Sequence, residues 1–306
     1  MYTSCKVSQG VISALGPYGG KQRRGKWMTA FGTLEKGQHH RDQFSSTCTG
    51  DVISTRLGYT FAHLELCIDL FQDTYDPASL RDFTDQLLLY VESGEDSGLL
   101  TKDDLDHILL DLAGSGFQAT AVTLTWLLGY MALNQDVQGE VHKEIDAVVG
   151  RDRLPSLEDQ PYLPLTEAVM CEVQRLASVR PFLTPHRTRK GTVIQGYDIP
   201  RDTLVLFNVW GLHHDARYWP HPSRFNPYRF LNEDKVVEIP DHFMPYGAGT
   251  RQCPGESLAD VQLFLFFTAI MHQLRALPAH PNMTLEGALD HLLRPKPFCV
   301  KVEARD

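Results

Sequence analysis

Apolar residues recur along much of this chain at helical spacing. Leu105, Ile108, Leu109 and Leu112 lie on one helix face, and Thr101 with Asp104 ahead of them fits a capping box. Apolar positions continue through Trp126 to Met131, which predicts one long, mostly buried helix. The small-residue stretch Ala113 to Gly116 (AGSG) interrupts the pattern. Glycine inside a helix costs about 1 kcal/mol relative to alanine, so this stretch predicts close approach of another body or a local widening. Asn134 to Val149, stopped by Gly150, and Pro164 to Ala177 read as two further helices. The pattern then changes. TVIQGYDI (Thr192 to Ile199) and TLVLFNV (Thr203 to Val209) have strand composition, separated by the turn Pro200-Arg201-Asp202. A proline-studded coil runs from Trp219 to Phe230. A glycine-rich loop, Gly247 to Gly255, opens into an apolar helix from about Ser257 to Leu274, and FCVKV (Phe298 to Val302) alternates like a terminal strand. Upstream, Phe71, Phe83, Leu87 and Leu88 suit short helices, whereas residues 1–50 are rich in Gly, Lys, Arg, Gln and Ser and carry little pattern. The fold class is mostly α, an α+β chain with small sheets. A poorly defined segment, 1–50, precedes a single domain, 51–306.

Composition narrows the classes of function. Apolar content of 42% and charged content of 22% suit a globular protein. A net charge of −9 argues against nucleic acid as a partner, which requires a positive field. The six cysteines are dispersed and none forms a C-x-x-C pair, as expected of free thiols in a reducing compartment. The best apolar stretch, Phe264 to Met271, is far short of a membrane span, and the N-terminus shows no secretory signal. The pairs His39-His40 and His213-His214 read as solvated or loop residues and are assigned no metal.

Candidate chemistry concentrates in FMPYGAGTRQCPG, Phe243 to Gly255. Gly247, Gly249 and Gly255 permit a tight loop and the close approach of a flat partner. Cys253 precedes a helix N-terminus, whose dipole and free amides favour a thiolate, and Arg251 adds positive charge nearby. Such a thiolate is a nucleophile or a metal ligand. A lone cysteine beside a turn is ordinarily structural; the spacing of the whole loop sets this one apart.

The segment resembles the haem-binding signature F-x-x-G-x-R-x-C-x-G of the cytochrome P-450 family, with Tyr246 in the first aromatic place. The resemblance implies a cytochrome P-450 fold, truncated at its N-terminus, with haem b (iron protoporphyrin IX) as cofactor. It implies that Cys253 is the ligand of the haem iron, that Arg251 pairs with a propionate, and that Tyr246, Gly247, Gly249 and Gly255 shape the cradle. His186, in PHRT, falls where the family places a propionate partner. Glu172 and Arg175 form an E-x-x-R pair, and FNPYRF (Phe225 to Phe230) resembles the P-E-R-F element with Tyr228 in place of Glu. The resemblance implies that Glu172, Arg175 and Arg229 lock together in a structural role.

LAGSGFQATAVTLTW resembles the family's oxygen-binding helix but departs from it where chemistry is expected. Gly116 takes the glycine position, Gln118 falls on the acid and Ala119 on the threonine that relay protons during oxygen activation. Gln118 is no acid and Ala119 has no hydroxyl. Thr120 lies about 100° further round the helix and does not replace it. Slow or leaky oxygen activation is one expectation; a substrate that brings its own oxygen, as for the family's isomerases and dehydratases, is another, and an inactive haem-binding member is a third.

The wider resemblance, from about Asp82 to Leu277, is greatest to the animal steroid 17α-hydroxylase and aryl-hydrocarbon hydroxylase group. It implies a monooxygenase acting on an apolar, steroid-like or aromatic small molecule. Electrons would come from NADPH through a flavoprotein reductase. The setting would be the endoplasmic reticulum membrane, or the cytoplasm with peripheral membrane association if the anchor is absent. Full-length members are longer, and an anchor, the early helices and the roof between Phe61 and Asp82 are expected to be missing. In GPYGGKQRRGKW, Gln22 and Lys26 fall where the family supplies a Trp and an Arg to the haem, although such a charged run also reads as a solvated loop.

Overall fold

The computed structural model of the chain describes residues 3–6, 74–94 and 100–305. Phe71, the His39-His40 pair, Gln22 and Lys26 lie outside them. The chain divides into two compact units, residues 8–117 and residues 1–7 with 118–306.

In the first unit, helix α1 (Phe83–Ser93) begins at Asp82, whose carboxylate accepts the N–H groups of Thr84 and Asp85 at 2.8 and 3.2 Å. Gly94, with φ 67°, ends it in the left-handed conformation that glycine adopts without strain. Of the predicted apolar set, Leu88 is buried while Phe83 is exposed.

Helix α2 (Lys102–Leu133) carries the predicted capping box. Asp104 Oδ2 accepts the Thr101 N–H at 2.9 Å, and Thr101 Oγ1 accepts the Asp104 N–H at 3.3 Å. Two expectations for this helix are corrected. It runs through Ala113 to Gly116 without interruption. Its burial is concentrated between Thr120 and Ala132, while much of the earlier half is only partly covered. The charge pattern explains this: Asp104, Asp106 and Asp111 punctuate the first half, whereas no Asp, Glu, Lys or Arg occurs from Leu112 to Gln135. The close approach occurs at Gly129 instead. A Cβ there would lie 2.7 Å from Leu285 Cδ1 and 3.2 Å from Phe298 Cζ.

The second unit is built on helices α3 (Gln135–Val149), α4 (Pro164–Ala177) and α6 (Glu256–Gln273), close to the spans read from the sequence. The N-terminus of α4 is capped by a neighbouring helix. Glu144 of α3 accepts the Leu165 and Thr166 N–H groups, both at 2.8 Å, and the Thr166 hydroxyl at 2.6 Å. A carboxylate there satisfies orphan amides and complements the dipole. Buried Gln138 completes a strand edge: its amide donates to Ala276 O and accepts the Ala276 N–H, each at 2.8 Å.

The strands are short. A three-stranded antiparallel sheet has the order β1 (Thr3–Lys6), β9 (Cys299–Ala304), β6 (Leu274–Pro278), with Cys5 opposite Val300 and Ala276 opposite Val302. The β-rich block differs from its reading. TVIQGYDI is itself a hairpin, β3 (Thr192–Ile194) against β4 (Tyr197–Ile199), because Gln195 and Gly196 both take positive φ, 52° and 84°. TLVLFNV supplies only β5 (Leu204–Val205), paired with β2 (His186–Arg187). Asn208 then caps the short helix α5 (Val209–His213) by accepting the Gly211 N–H at 2.8 Å. A further pair, β7 (Gly287–Leu289) and β8 (Leu293–Pro295), follows α6. Among the described residues no helix is long and apolar enough to cross a membrane.

Candidate functional site

The cysteine loop is set by backbone before any side chain acts. The Cys253 N–H donates to Tyr246 O at 2.9 Å, and the Gln252 N–H to Gly249 O at 3.1 Å. Gly247 (φ 81°) and Gly249 (φ 74°) hold left-handed conformations that a side chain would strain. A Cβ at Gly247 would also meet Leu183 Cδ1 at 3.4 Å, which places this part of the loop beside the segment entering β2. Gly255 is the N-cap of α6, and its Cβ direction points at Cys253 Sγ, 4.0 Å away. The sulfur therefore stands at the mouth of an 18-residue helix, exposed and without a disulfide partner. Unsatisfied amides and the dipole make that end favourable for an anion.

Two cationic or polar side chains accompany the loop. Arg251 is exposed and makes no ion pair among the described residues. His186 is half-buried, its ring packed edge-on against Phe207 with centroids 5.2 Å apart. Phe207 O accepts the Leu183 N–H at 3.1 Å, so Leu183, His186 and Phe207 belong to one wall beside Gly247. An exposed thiol, a face kept free of Cβ atoms and an unpaired guanidinium suit a flat group that needs a soft axial ligand and partners for carboxylates. On donor chemistry, the residues present fit haem.

Behind the loop, the structure brings Glu172, Arg175 and Arg229 together. Arg175 Nε and Nη2 donate to the two oxygens of Glu172 at 2.8 and 2.9 Å, and both side chains are fully buried. Arg229 Nε reaches Glu172 at 3.2 Å, and the Asn226 N–H adds a fourth donor at 2.9 Å. Arg175 Nη1 donates to His213 O at 2.6 Å, and its guanidinium lies 5.1 Å from the centroid of the Trp219 ring. Tyr228, which replaces the acid of the resembled element, instead donates its hydroxyl to Glu140 at 2.6 Å.

The expected solvated pair His213-His214 is corrected. His214 is half-buried and stacked on Trp210, but His213 is fully buried against Phe243 and Trp219. Its Nε2 accepts the Met244 N–H at 3.1 Å, so Nδ1 carries the proton and donates to Ser178 Oγ at 3.0 Å. The ring thereby connects α4 to the start of the cysteine loop. Burial, then the Arg175 charge and the neighbouring His214 and His242, push its pKa down to about 3. The folded state resists protonating this ring, while the unfolded chain takes up a proton near the ordinary value of about 6.5. The contribution is therefore complete above that value and is lost as pH falls from about 6.5 towards 3. His213→Phe should cost about 2–4 kcal/mol at pH 7, by stranding Met244 N–H and Ser178, and should flatten the acid limb of urea stability measured over that window. An unaltered acid limb would contradict this role.

A further cluster joins the loop to two helices. Tyr246 donates its hydroxyl to Asp260 Oδ1 of α6 at 2.6 Å and accepts from Gln174 Nε2 of α4 at 2.9 Å. Burial raises the pKa of Asp260, with the Tyr246 hydrogen bond pulling the other way. Burial and then Asp260 raise that of Glu167, and burial does the same to the Cys171 thiol, which is inert by position. Sequence reasoning passed over Asp260 and Gln174. Asp260 did leave a signal, as a lone acid in the apolar run that follows Glu256.

The positions read onto the oxygen-binding helix have local partners of their own. Gln118 Oε1 lies 2.9 Å from His291 Nε2, and Ala119 contributes only its carbonyl, which accepts the Thr123 hydroxyl at 2.9 Å. Gly116 belongs to the other compact unit.

The cytochrome P-450 family model matches residues 55–302. Cytochrome P-450 2U1 of Rattus norvegicus is 42% identical over 241 residues, covering 76% of this chain and 45% of the relative. Cytochrome P-450 2D4 of Rattus norvegicus is 37% identical over 254 residues, covering 81% and 51%. Cytochrome P-450 1B1 of Homo sapiens is 38% identical over 240 residues, covering 75% and 44%. The chain thus spans about half the length of the curated relatives it matches.

Proposed function

This chain belongs to the cytochrome P-450 family, and from that premise we propose that residues 51–306 bind haem through Cys253 as part of a haem-thiolate monooxygenase. The reaction would place one oxygen atom from O2 into an apolar, steroid-like or aromatic molecule. Electrons would come from NADPH through a flavoprotein reductase at the endoplasmic reticulum membrane. The observation that carries the reading is the exposed Cys253 sulfur at the mouth of α6, beside glycines that a Cβ would strain.

Each residue has a part that its chemistry supports. Cys253 would supply a thiolate to the haem iron. Arg251 and His186 would pair with the propionate carboxylates. Gly247, Gly249, Gly255 and the Tyr246 backbone shape the cradle, and the Glu172–Arg175–Arg229 network and His213 hold its floor. Thiolate-ligated haem, when bound, supplies oxygen-activating chemistry. At positions 118 and 119 an amide and a methyl stand where an acid and an alcohol relay protons, so proton delivery falls to water. Peroxide release should therefore exceed product formed per NADPH consumed; tight coupling would overturn that expectation.

The reading is tested by loading the full chain with haem, reducing it and adding carbon monoxide. A red-shifted Soret band supports thiolate ligation, and a band at the ordinary position refutes it. NADPH consumption with added reductase then tests the electron source.

A further inference from the structure

The resembled signature has phenylalanine at the first aromatic place, and this chain has Tyr246. The additional hydroxyl is doubly used, donating to Asp260 of α6 at 2.6 Å and accepting from Gln174 of α4 at 2.9 Å. The carbonyl of the same residue accepts the Cys253 N–H at 2.9 Å. One residue thus links the sulfur-bearing position to two helices, and Gln174 adjoins Arg175, the centre of the buried ion network. A phenylalanine would leave Asp260 without this donor in a half-buried place beside Glu167.

We propose that Tyr246 is a positioning residue for the Cys253 sulfur: its phenol, clamped between Asp260 and Gln174, fixes the carbonyl that receives the Cys253 N–H. The proposal rests on the reading of Cys253 as haem ligand for its purpose, but not for its geometry. The clamp registers the loop from outside, so that the sulfur is held at a fixed place where it would meet the iron. The hydrogen bond is charge-assisted, and losing one of that class corresponds to roughly a tenfold change in a local equilibrium.

The first measurement uses the haem-free full chain. Amide hydrogen exchange at Cys253 should become roughly tenfold faster in Tyr246→Phe than in the parent. Tyr228→Phe, which removes an equally short phenol–carboxylate bond to Glu140, should leave it unchanged. Unchanged exchange in Y246F, or equal acceleration in Y228F, overturns the clamp. The second measurement uses the haem-loaded, reduced, carbon-monoxide-bound protein. Y246F should convert from the red-shifted band to the ordinary one roughly tenfold faster than the parent, and Asp260→Asn alone, which keeps Tyr246 and still accepts from the phenol, should convert at a rate nearer the parent's than that of Y246F. A conversion rate equal to the parent's overturns the positioning role. If the parent itself gives no red-shifted band, the haem reading falls, while exchange at Cys253 still decides the clamp. Should Y246F fail to fold, Gln174→Leu removes the neutral half of the clamp and should accelerate exchange at Cys253 about threefold; no acceleration overturns it.

Discussion

Cys253→Ser is expected to abolish the red-shifted carbon-monoxide band of the reduced, haem-loaded chain while leaving the protein folded. Sulfur at this position is exposed and lies 4.0 Å from the place of a Cβ on Gly255, so exchanging it for oxygen disturbs no packed surface. A substitution of this kind usually changes stability by no more than about 0.5 kcal/mol. The chemistry changes much more. A cysteine thiol ionises near pH 8.5 in water and lower beside positive charge, and its thiolate is a soft ligand suited to iron. A serine hydroxyl stays protonated at neutral pH and donates little electron density. Absorbance of the reduced carbon-monoxide complex, paired with thermal unfolding, separates loss of ligation from loss of fold. Persistence of the red-shifted band in C253S would remove Cys253 from the site altogether.

Arg175→Leu has the largest expected effect on stability. An exposed pair of this spacing would contribute only a few tenths of a kcal/mol. Here both side chains of the Glu172–Arg175 pair are at 0% exposure, which reverses that judgement. Removing Arg175 takes two donors from Glu172 and one from His213 O, and removes the nearer of the two guanidinium groups over Trp219, leaving Arg229 at 6.0 Å. Arg229 and the Asn226 N–H remain, too few for a buried carboxylate. Breaking such a pair costs about 3–5 kcal/mol, measurable as a lower urea midpoint. The double variant Glu172→Gln with Arg175→Met should lose less than Arg175→Leu alone, because the buried carboxylate is then neutral and Arg229, the one charge left over, still donates to Pro220 O and Arg224 O. A loss below about 1 kcal/mol for Arg175→Leu would show that the network carries little of the fold.

The residues of the site differ in how far the chain alone makes them legible. The capping box at Thr101, the helix Pro164–Ala177 and the glycine-rich loop before α6 could be read from the chain. Each is fixed by residues within a turn or two of one another. The charge pattern of α2 also anticipates its burial, once Asp104, Asp106 and Asp111 are weighed against the uncharged stretch that follows. The hairpin at Gln195-Gly196 was not read, because strand composition on both sides masked a turn in which both residues take positive φ.

The sequence by itself determined the local chemistry: which residue is a thiol, where glycine allows the backbone to turn, and where a helix begins beneath Cys253. Those follow from φ, ψ and capping, which depend on neighbours along the chain. Only the tertiary structure decided that His213 is a buried neutral link to Met244, 31 residues away, and that Tyr246 is gripped by Asp260 and Gln174. It likewise decided that Glu144 caps a helix beginning some twenty positions later. Histidine, tyrosine and glutamate are each at ease in water or in a satisfied interior. Which applies depends on whether packing brings a partner to every buried polar atom, and that is a property of the folded chain.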